Sequence, residues 1–181
     1  MHLQALEQLE KFLEELWVMR GYAGHTIAAY RRDLKTFENF CNQSKLERWN
    51  DVTLVHIRRF SAFRHGQQLS GSTIQRELSA IRSFFKFLIK NEWIAENPAK
   101  TVRAPKASRK LPKVLDVDQM AAILDAPADS WFDVRDLAMF EVFYSSGLRL
   151  SELVSLDMGD IDCQEGVLRV KSGKGSKERW L

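Results

Sequence analysis

Residues 147–153, with the sequence GLRLSEL, hold the side chains best suited to chemistry. Arg149 and Glu152 stand three residues apart at a break between two apolar helical segments. A guanidinium is a permanently charged, planar donor that can hold a phosphate, and a nearby acid can fix its orientation. The alternative is an ordinary i,i+3 ion pair on the surface of a helix, which stabilises little. The pair alone leaves both interpretations open.

The net charge is only +3, but the basic and acidic side chains are strongly segregated along the chain. Residues 53–95 carry seven basic and two acidic side chains, and residues 96–113 carry six and one. Residues 114–165 carry only two basic against twelve acidic side chains, whereas the last sixteen residues carry five and one. Such basic blocks indicate a surface that binds a polyanion, although a solvated charged face is the alternative for any single block.

Composition excludes several classes of protein. The chain of 181 residues is 45% hydrophobic and 28% charged, and no apolar run approaches the ~18 residues that span a bilayer. The acidic side chains near the N-terminus are not typical of a signal peptide. The two cysteines, Cys41 and Cys163, lie far apart without metal-ligand spacing. We therefore expect a cytoplasmic protein that has no membrane association, no bound metal and no cofactor.

Four amphipathic helices are predicted within residues 1–95, joined by short connections as in a helical bundle. The strongest pattern follows a turn with a predicted N-cap at Ser70, after which apolar residues recur at intervals of four and three. The apolar faces of the four helices are Leu6, Leu9, Leu13 and Leu16; Ile27, Tyr30, Leu34 and Phe37; Leu54, Ile57, Phe60 and Phe63; and Ile74, Leu78, Ile81, Phe85 and Leu88.

Residues 96–113 are predicted to be an interdomain linker. Pro98 stops the fourth helix, and Pro105 and Pro112 follow within a basic stretch that lacks apolar periodicity. A passive tether and a segment that tracks a phosphate backbone are both consistent with this composition.

Residues 114–181 are predicted to begin a second domain of mixed α and β structure. A capping-box pattern at residues 116–119 starts one helix, a strongly apolar helix ends at Gly147, and a shorter helix follows. Residues 157–162 resemble a loop. Alternation in residues 166–171, a glycine-rich turn and a returning strand at residues 177–181 predict a β-hairpin. The expected fold class is thus mainly α, with this small hairpin in the second domain.

Two motifs in this order resemble the tyrosine site-specific recombinases. They are GLRLSEL at residues 147–153 and GKGSKER at residues 173–179. The resemblance extends over the whole chain. Within the family, the sequence resembles the bacterial Xer group. The linker segments NPAK, APKA and LPK, followed by DVD at residues 116–118, resemble the XerC branch more narrowly.

The resemblance implies a four-helix, SAM-like core-binding domain and a catalytic domain that together clamp a DNA duplex. It implies that Arg149 is the first catalytic arginine, that Glu152 supports it, and that Lys174 is the lysine of the β-turn. A bidentate guanidinium would hold the extra negative charge of the pentacoordinate phosphorus, and a lysine would protonate the leaving 5′ oxygen. Lys177 and Arg179 are expected to be surface or backbone-facing charges.

The same resemblance suggests where DNA would bind and which partners would be present. The candidate DNA contacts are Arg76, Arg82 and Lys86 on the fourth helix and Lys106 and Arg109 in the linker. The implied partners are a double-stranded recombination site, a XerD-like recombinase in a heterotetramer, and a septal DNA translocase of the FtsK type. The implied process is the resolution of chromosome dimers during cell division.

The family pattern also requires a histidine–arginine motif and a nucleophilic tyrosine, which this sequence does not contain after Arg149. Tyr30 and Tyr144 lie in helical patterns and are interpreted as core residues. We therefore expect a truncated recombinase that binds DNA without cleaving it. A non-catalytic DNA-binding or architectural module, and a fragment of a phage or integron integrase, are the alternatives.

Overall fold

The computed structural model describes residues 1–19, 21–106, 114–171 and 178–181. The chain divides into two compact units, residues 1–110 and residues 111–181. The predicted fold class, mainly helical with a small hairpin late in the chain, is confirmed.

The first unit contains the four predicted helices. They are α1 (Leu3–Val18), α2 (Gly24–Gln43), α3 (Leu54–Gly66) and α4 (Gly71–Lys90), with a 3-10 turn at Trp49–Asp51 before α3. Ser70 caps α4 as predicted, because its Oγ accepts a hydrogen bond from the Thr73 N–H at 3.2 Å. The second helix begins at Gly24, one turn before the first residue of its predicted apolar face, Ile27.

Aromatic side chains build the core of this unit. Phe37 of α2 packs edge-on against Phe60 of α3 and stacks beside Trp49, with ring centroids 5.1 and 6.1 Å apart. The Trp49 indole N–H donates to the Ala5 carbonyl at 2.7 Å, which satisfies its polar atom within the core. Burying each such ring contributes about 1.5–3 kcal/mol, so these contacts fix how the helices pack.

The start of the predicted linker packs onto the first unit. Ala99 and Val102 are buried among the residues of its core. The Asn97 side chain donates to the Arg82 carbonyl at 3.0 Å and accepts from the Ala99 N–H at 3.0 Å. Residues 97–102 are therefore held against α4, although they form no regular secondary structure.

The second unit begins with three helices, α5 (Val117–Leu124), α6 (Trp131–Ser146) and α7 (Leu150–Val154). The predicted capping box of α5 is present, with the Gln119 N–H donating to Asp116 at 2.8 Å. A second capping box, formed by Ser130 and Asp133, starts α6. Gly147 ends α6 in the left-handed conformation, with φ of 59°.

The described residues of the unit also form three short antiparallel strands. They are β1 (Ile161–Asp162), β2 (Val167–Val170) and β3 (Arg179–Trp180), in the order β1-β2-β3. The β2–β3 register pairs Arg169 with Trp180 and Val170 with Arg179. Leu148, Leu168 and Val170 form the small buried core.

Two expectations for this unit are wrong. Residues 157–162 are not simply loop, because Met158–Asp160 forms a 3-10 turn, capped when the Asp157 N–H donates to Asp160, and Ile161 begins β1. Tyr144 is 58% exposed and is therefore not a core residue. No other residue of α6 is fully buried either. Tyr30, in contrast, packs against the core of the first unit as expected.

Within the described residues, no helix combines the length and the apolar character needed to cross a membrane.

Candidate active site

The junction between α6 and α7 positions the arginine and the acid of the GLRLSEL motif. Gly147 reverses the chain after α6, and Leu148 anchors the reversal by packing into the small core with Leu168. Arg149 is the residue before α7, and Glu152 lies in the first turn of that helix. The Arg149 backbone N–H donates to Glu152 Oε2 at 2.8 Å, which is the acid-to-backbone half of a capping box and fixes the acid beside the arginine.

The Glu152 carboxylate accepts four hydrogen bonds from two arginines. Oε1 accepts from Arg149 Nη1 at 2.8 Å and from Arg179 Nη1 at 3.0 Å. Oε2 accepts from the Arg149 backbone N–H and from Arg179 Nη2, the latter at 2.9 Å. Four bonds fill the acceptor capacity of an ionised carboxylate, so this group is held in one orientation.

These bonds also fix the charge of Glu152. Its side chain is only 3% exposed. The hydrogen bonds from Arg179 and then from the Arg149 N–H lower its pKa to about 2. Glu152 is therefore an anion at neutral pH and acts as a fixed support for the two guanidinium groups.

Arg149 keeps part of its guanidinium available. Its side chain is 56% exposed. Only its Nη1 bonds to Glu152, and no residue that the structure describes accepts a hydrogen bond from its Nη2 or Nε. A permanently charged group with donors still open to solvent can bind a phosphate oxygen.

Arg179 was predicted to be a surface or backbone-facing charge, and that prediction is wrong. Its side chain forms a bidentate pair with the buried Glu152, 27 residues earlier in the chain. The strand register explains the contact, because Val170 faces the core and Arg179 lies opposite it. Directly opposed residues of antiparallel strands share one face of the sheet.

Lys174, the predicted lysine of the β-turn, lies outside the described residues. Just before that turn, Lys171 Nζ lies 2.6 Å from Oδ1 of the buried Asp160. This close contact with Lys171 is the main cause that lowers the pKa of Asp160. Among the described residues, no group of three or more His, Cys, Asp or Glu side chains could hold a metal ion.

In the first unit, two buried acids form ion pairs that join α4, the predicted DNA-binding helix, to neighbouring helices. Asp33 of α2 accepts from Arg76 Nη2 at 2.9 Å. Glu77 accepts from Arg64 of α3, with the shortest bond at 2.6 Å. Burial raises the pKa of Asp33, and the Arg76 charge opposes that rise. Arg76 is half-exposed, so it joins α4 to α2 while keeping contact with solvent.

The other candidate DNA contacts differ in how they are used. Arg82 is partly buried, and its guanidinium donates to the Ser79 hydroxyl and the Val102 carbonyl at 3.3 and 3.4 Å. Lys86 and Lys106 are exposed. Arg109 lies outside the described residues. Arg82 thus connects α4 to the segment that follows it, whereas Lys86 and Lys106 project their charge into solvent.

A basic groove runs between α3 and residues 102–105. Arg58 and His65 line it on the helix, and Arg103 lines it on the extended segment. Neither arginine forms an ion pair with a described residue, and both are exposed. No local sequence pattern marks this groove, because it forms where residues 102–105 pack against α3.

Family models match both units. The first, described as "Phage integrase, N-terminal SAM-like domain", covers residues 9–92. The second, described as "Phage integrase family", covers residues 113–181. The chain therefore belongs to the phage integrase family, the tyrosine recombinases.

Within this family the chain is XerC-like. It is 41% identical to tyrosine recombinase XerC of Xanthomonas axonopodis pv. citri (strain 306), over 97% of this chain and 61% of the relative. It is 43% identical to XerC of Natranaerobius thermophilus, over 95% of this chain and 58% of the relative. The chain thus spans about three-fifths of the length of these relatives.

Solved structures share the fold. A lambda integrase (residues 75–356) dimer bound to a COC′ core site matches with a TM-score of 0.74 and 22% identity, covering 100% of this chain and 62% of that one. The Tn1549 transposon integrase in complex with a circular intermediate DNA matches with a TM-score of 0.70 and 18% identity, covering 96% and 57%. These two integrases therefore share the fold of this chain.

Proposed function

We propose that this chain provides the DNA-binding part and the first catalytic groups of a XerC-type site-specific recombinase. The complete reaction would cleave a DNA strand through a 3′-phosphotyrosyl intermediate and then exchange strands. The observation that carries the proposal is the half-exposed Arg149, held by one bond to a fully saturated Glu152. This arrangement leaves guanidinium donors for a phosphate.

Each proposed catalytic group has a chemical role in that reaction. Arg149 binds a nonbridging oxygen of the scissile phosphate and stabilises the charge that develops when the phosphorus becomes pentacoordinate. Glu152 keeps the guanidinium in place. Lys174, assigned from the resemblance, protonates the leaving 5′ oxygen. The permanent charge of an arginine suits the first role, because it does not depend on pH.

The first unit would bind the duplex. Exposed Lys86 on α4, the groove cations Arg58 and Arg103, and Lys106 are the proposed phosphate contacts. Arg76 and Arg82 contribute by fixing α4 and the extended segment, and Arg76 retains enough exposure to contact a phosphate as well. Contacts of this kind give affinity and orientation, while base contacts would supply sequence specificity.

The 181-residue chain is proposed to bind DNA without cleaving it, because the sequence has no tyrosine after Tyr144. A fluorescent duplex and a nicked suicide duplex, which traps covalent intermediates, test both parts of this statement. The expected result is salt-dependent binding in fluorescence anisotropy and no protein–DNA adduct on a denaturing gel. A covalent adduct, or binding that does not respond to salt, would contradict the proposal.

The wider role is proposed from the likeness to XerC proteins. It is the resolution of chromosome dimers together with a XerD-like recombinase in a heterotetramer and an FtsK-type septal DNA translocase. Mixing the labelled duplex and this chain with a purified XerD protein tests the partnership. Cooperative formation of a larger complex supports it, and purely independent binding of the two proteins contradicts it.

A further inference from the structure

Arg179 stands out because a surface charge was expected and a contact with the buried Glu152 is found. Both of its terminal nitrogens bond to Glu152, one to each carboxylate oxygen, at 3.0 and 2.9 Å. A planar fork that matches both oxygens is a geometry that arginine provides and lysine does not. Two arginines therefore bond to the Glu152 carboxylate, and the geometry of their bonds differs.

The two arginines compete for the same acceptor atoms. Arg149 contributes its backbone N–H and a single side-chain nitrogen to Glu152, whereas Arg179 contributes its whole fork. If Arg179 were absent, each oxygen of the Glu152 side chain, which is 3% exposed, would lose one donor. A buried carboxylate with missing partners is costly, and the Arg149 guanidinium, already bonded to Glu152 through Nη1, has further nitrogens that could replace the lost donors.

We propose that Arg179 is a positioning residue that saturates Glu152 and thereby keeps the second nitrogen of Arg149 available for a phosphate. This inference rests on the proposed function of Arg149. The effect passes through Glu152, and Arg179 itself need not touch DNA.

The chain offers a matched control. Arg169 lies on the neighbouring strand β2 and pairs with Glu178, and these side chains are 41% and 45% exposed, so the pair contains no buried acid. Arg179→Gln and Arg169→Gln remove the same charge from the same sheet. Only the first removes a donor from Glu152.

The experiment uses NMR of the arginine side chains in the 181-residue chain, with inorganic phosphate as the probe. In Arg179→Gln, Arg149 is expected to form a fork with Glu152, which slows rotation about its Cζ–Nε bond. Its apparent Kd for phosphate is expected to rise about five- to tenfold, and in Arg169→Gln to stay within about twofold. An unchanged rotation rate and an unchanged Kd in Arg179→Gln would overturn the proposal.

A second variant covers the case in which Arg179→Gln disrupts the sheet. Protection of the Leu168 amide, which donates to the Leu181 carbonyl at 2.9 Å, reports whether the sheet is intact. Arg179→Lys keeps the charge but replaces the fixed two-nitrogen fork by a single ammonium nitrogen, so slower Arg149 rotation is expected with Leu168 still protected. Arg149 behaviour identical to the wild type in Arg179→Lys would count against the proposal.

The outcomes separate this proposal from the function on which it rests. If wild-type Arg149 does not respond to phosphate, the proposed function fails. The rotation rates in the variants still test whether Arg179 controls the geometry of Arg149.

Discussion

Arg179 of the last strand binds both oxygens of Glu152, in the first turn of α7, at 3.0 and 2.9 Å. This contact ties the end of the hairpin to the residue that caps α7 and holds Arg149. The proposed active site is therefore assembled from two separate parts of the second unit.

The first prediction concerns acid stability of the second unit. The pKa of Glu152 in the folded chain is about 2, below its ordinary value of 4.5. Its contribution to stability is therefore complete above about pH 4.5 and is lost as the pH falls toward 2. Glu152→Gln should lose this part of the pH dependence, measured by urea unfolding between pH 6 and 2.

The comparison must be made as a difference, because Asp133 and Asp160 also have lowered pKa values. The wild-type curve minus the Glu152→Gln curve isolates Glu152. A difference that does not change between pH 5 and 2 would show that the carboxylate is not held as described.

The second prediction concerns the buried ion pair of the first unit. The Arg64 side chain is 16% exposed and bonds to Glu77, which is 2% exposed. Arg64→Gln leaves that acid buried without its cation and should lower the free energy of unfolding by about 2–4 kcal/mol. Arg59→Gln, on the exposed side of the same helix, should change it by less than about 0.5 kcal/mol. Equal effects of the two substitutions in chemical denaturation would refute this description.

The third prediction separates DNA contact from surface charge. Lys86→Glu on α4 should weaken binding to duplex DNA and reduce the slope of log K against log salt by about 0.9 for one lost phosphate contact. The control is Lys45→Glu, which makes the same charge change at an exposed lysine after α2. If both variants lower affinity equally, the effect is one of net charge, and Lys86 is not a specific contact.

The fourth prediction concerns the thiols. Cys41 is fully buried, and desolvation raises its pKa to about 12, whereas Cys163 is exposed. Because the thiolate is the reactive form, one of the two thiols should react with Ellman's reagent in the native chain at pH 8. Both should react in urea. Rapid modification of Cys41 in the native chain would mean that the first unit opens readily.

Local patterns were sufficient for much of the fold. The period of the apolar residues predicted all four helices of the first unit, and Ser70, Asp116 and Gly147 marked helix ends correctly because capping acts within a few residues. The Ser130–Asp133 capping box is a local pattern of the same kind. The short strand β1 was missed because two residues carry no alternation.

The candidate site was predictable only in part. The spacing of Arg149 and Glu152 is local, and the structure brings them together. The contact of Arg179 with Glu152 depends on the strand register, which residues next to Arg179 in sequence do not determine. The packing of residues 97–102 on α4 likewise depends on tertiary contacts. The catalytic and DNA-binding roles of these residues stay predictions.

The most direct test follows the Arg149 side chain by NMR while duplex DNA is added to the wild-type chain. Its guanidinium signals are expected to shift and saturate together with those of the first unit, while the signals of Arg169 change little. If the first unit responds to DNA and Arg149 does not, Arg149 does not hold a DNA phosphate in this chain and the central claim is wrong.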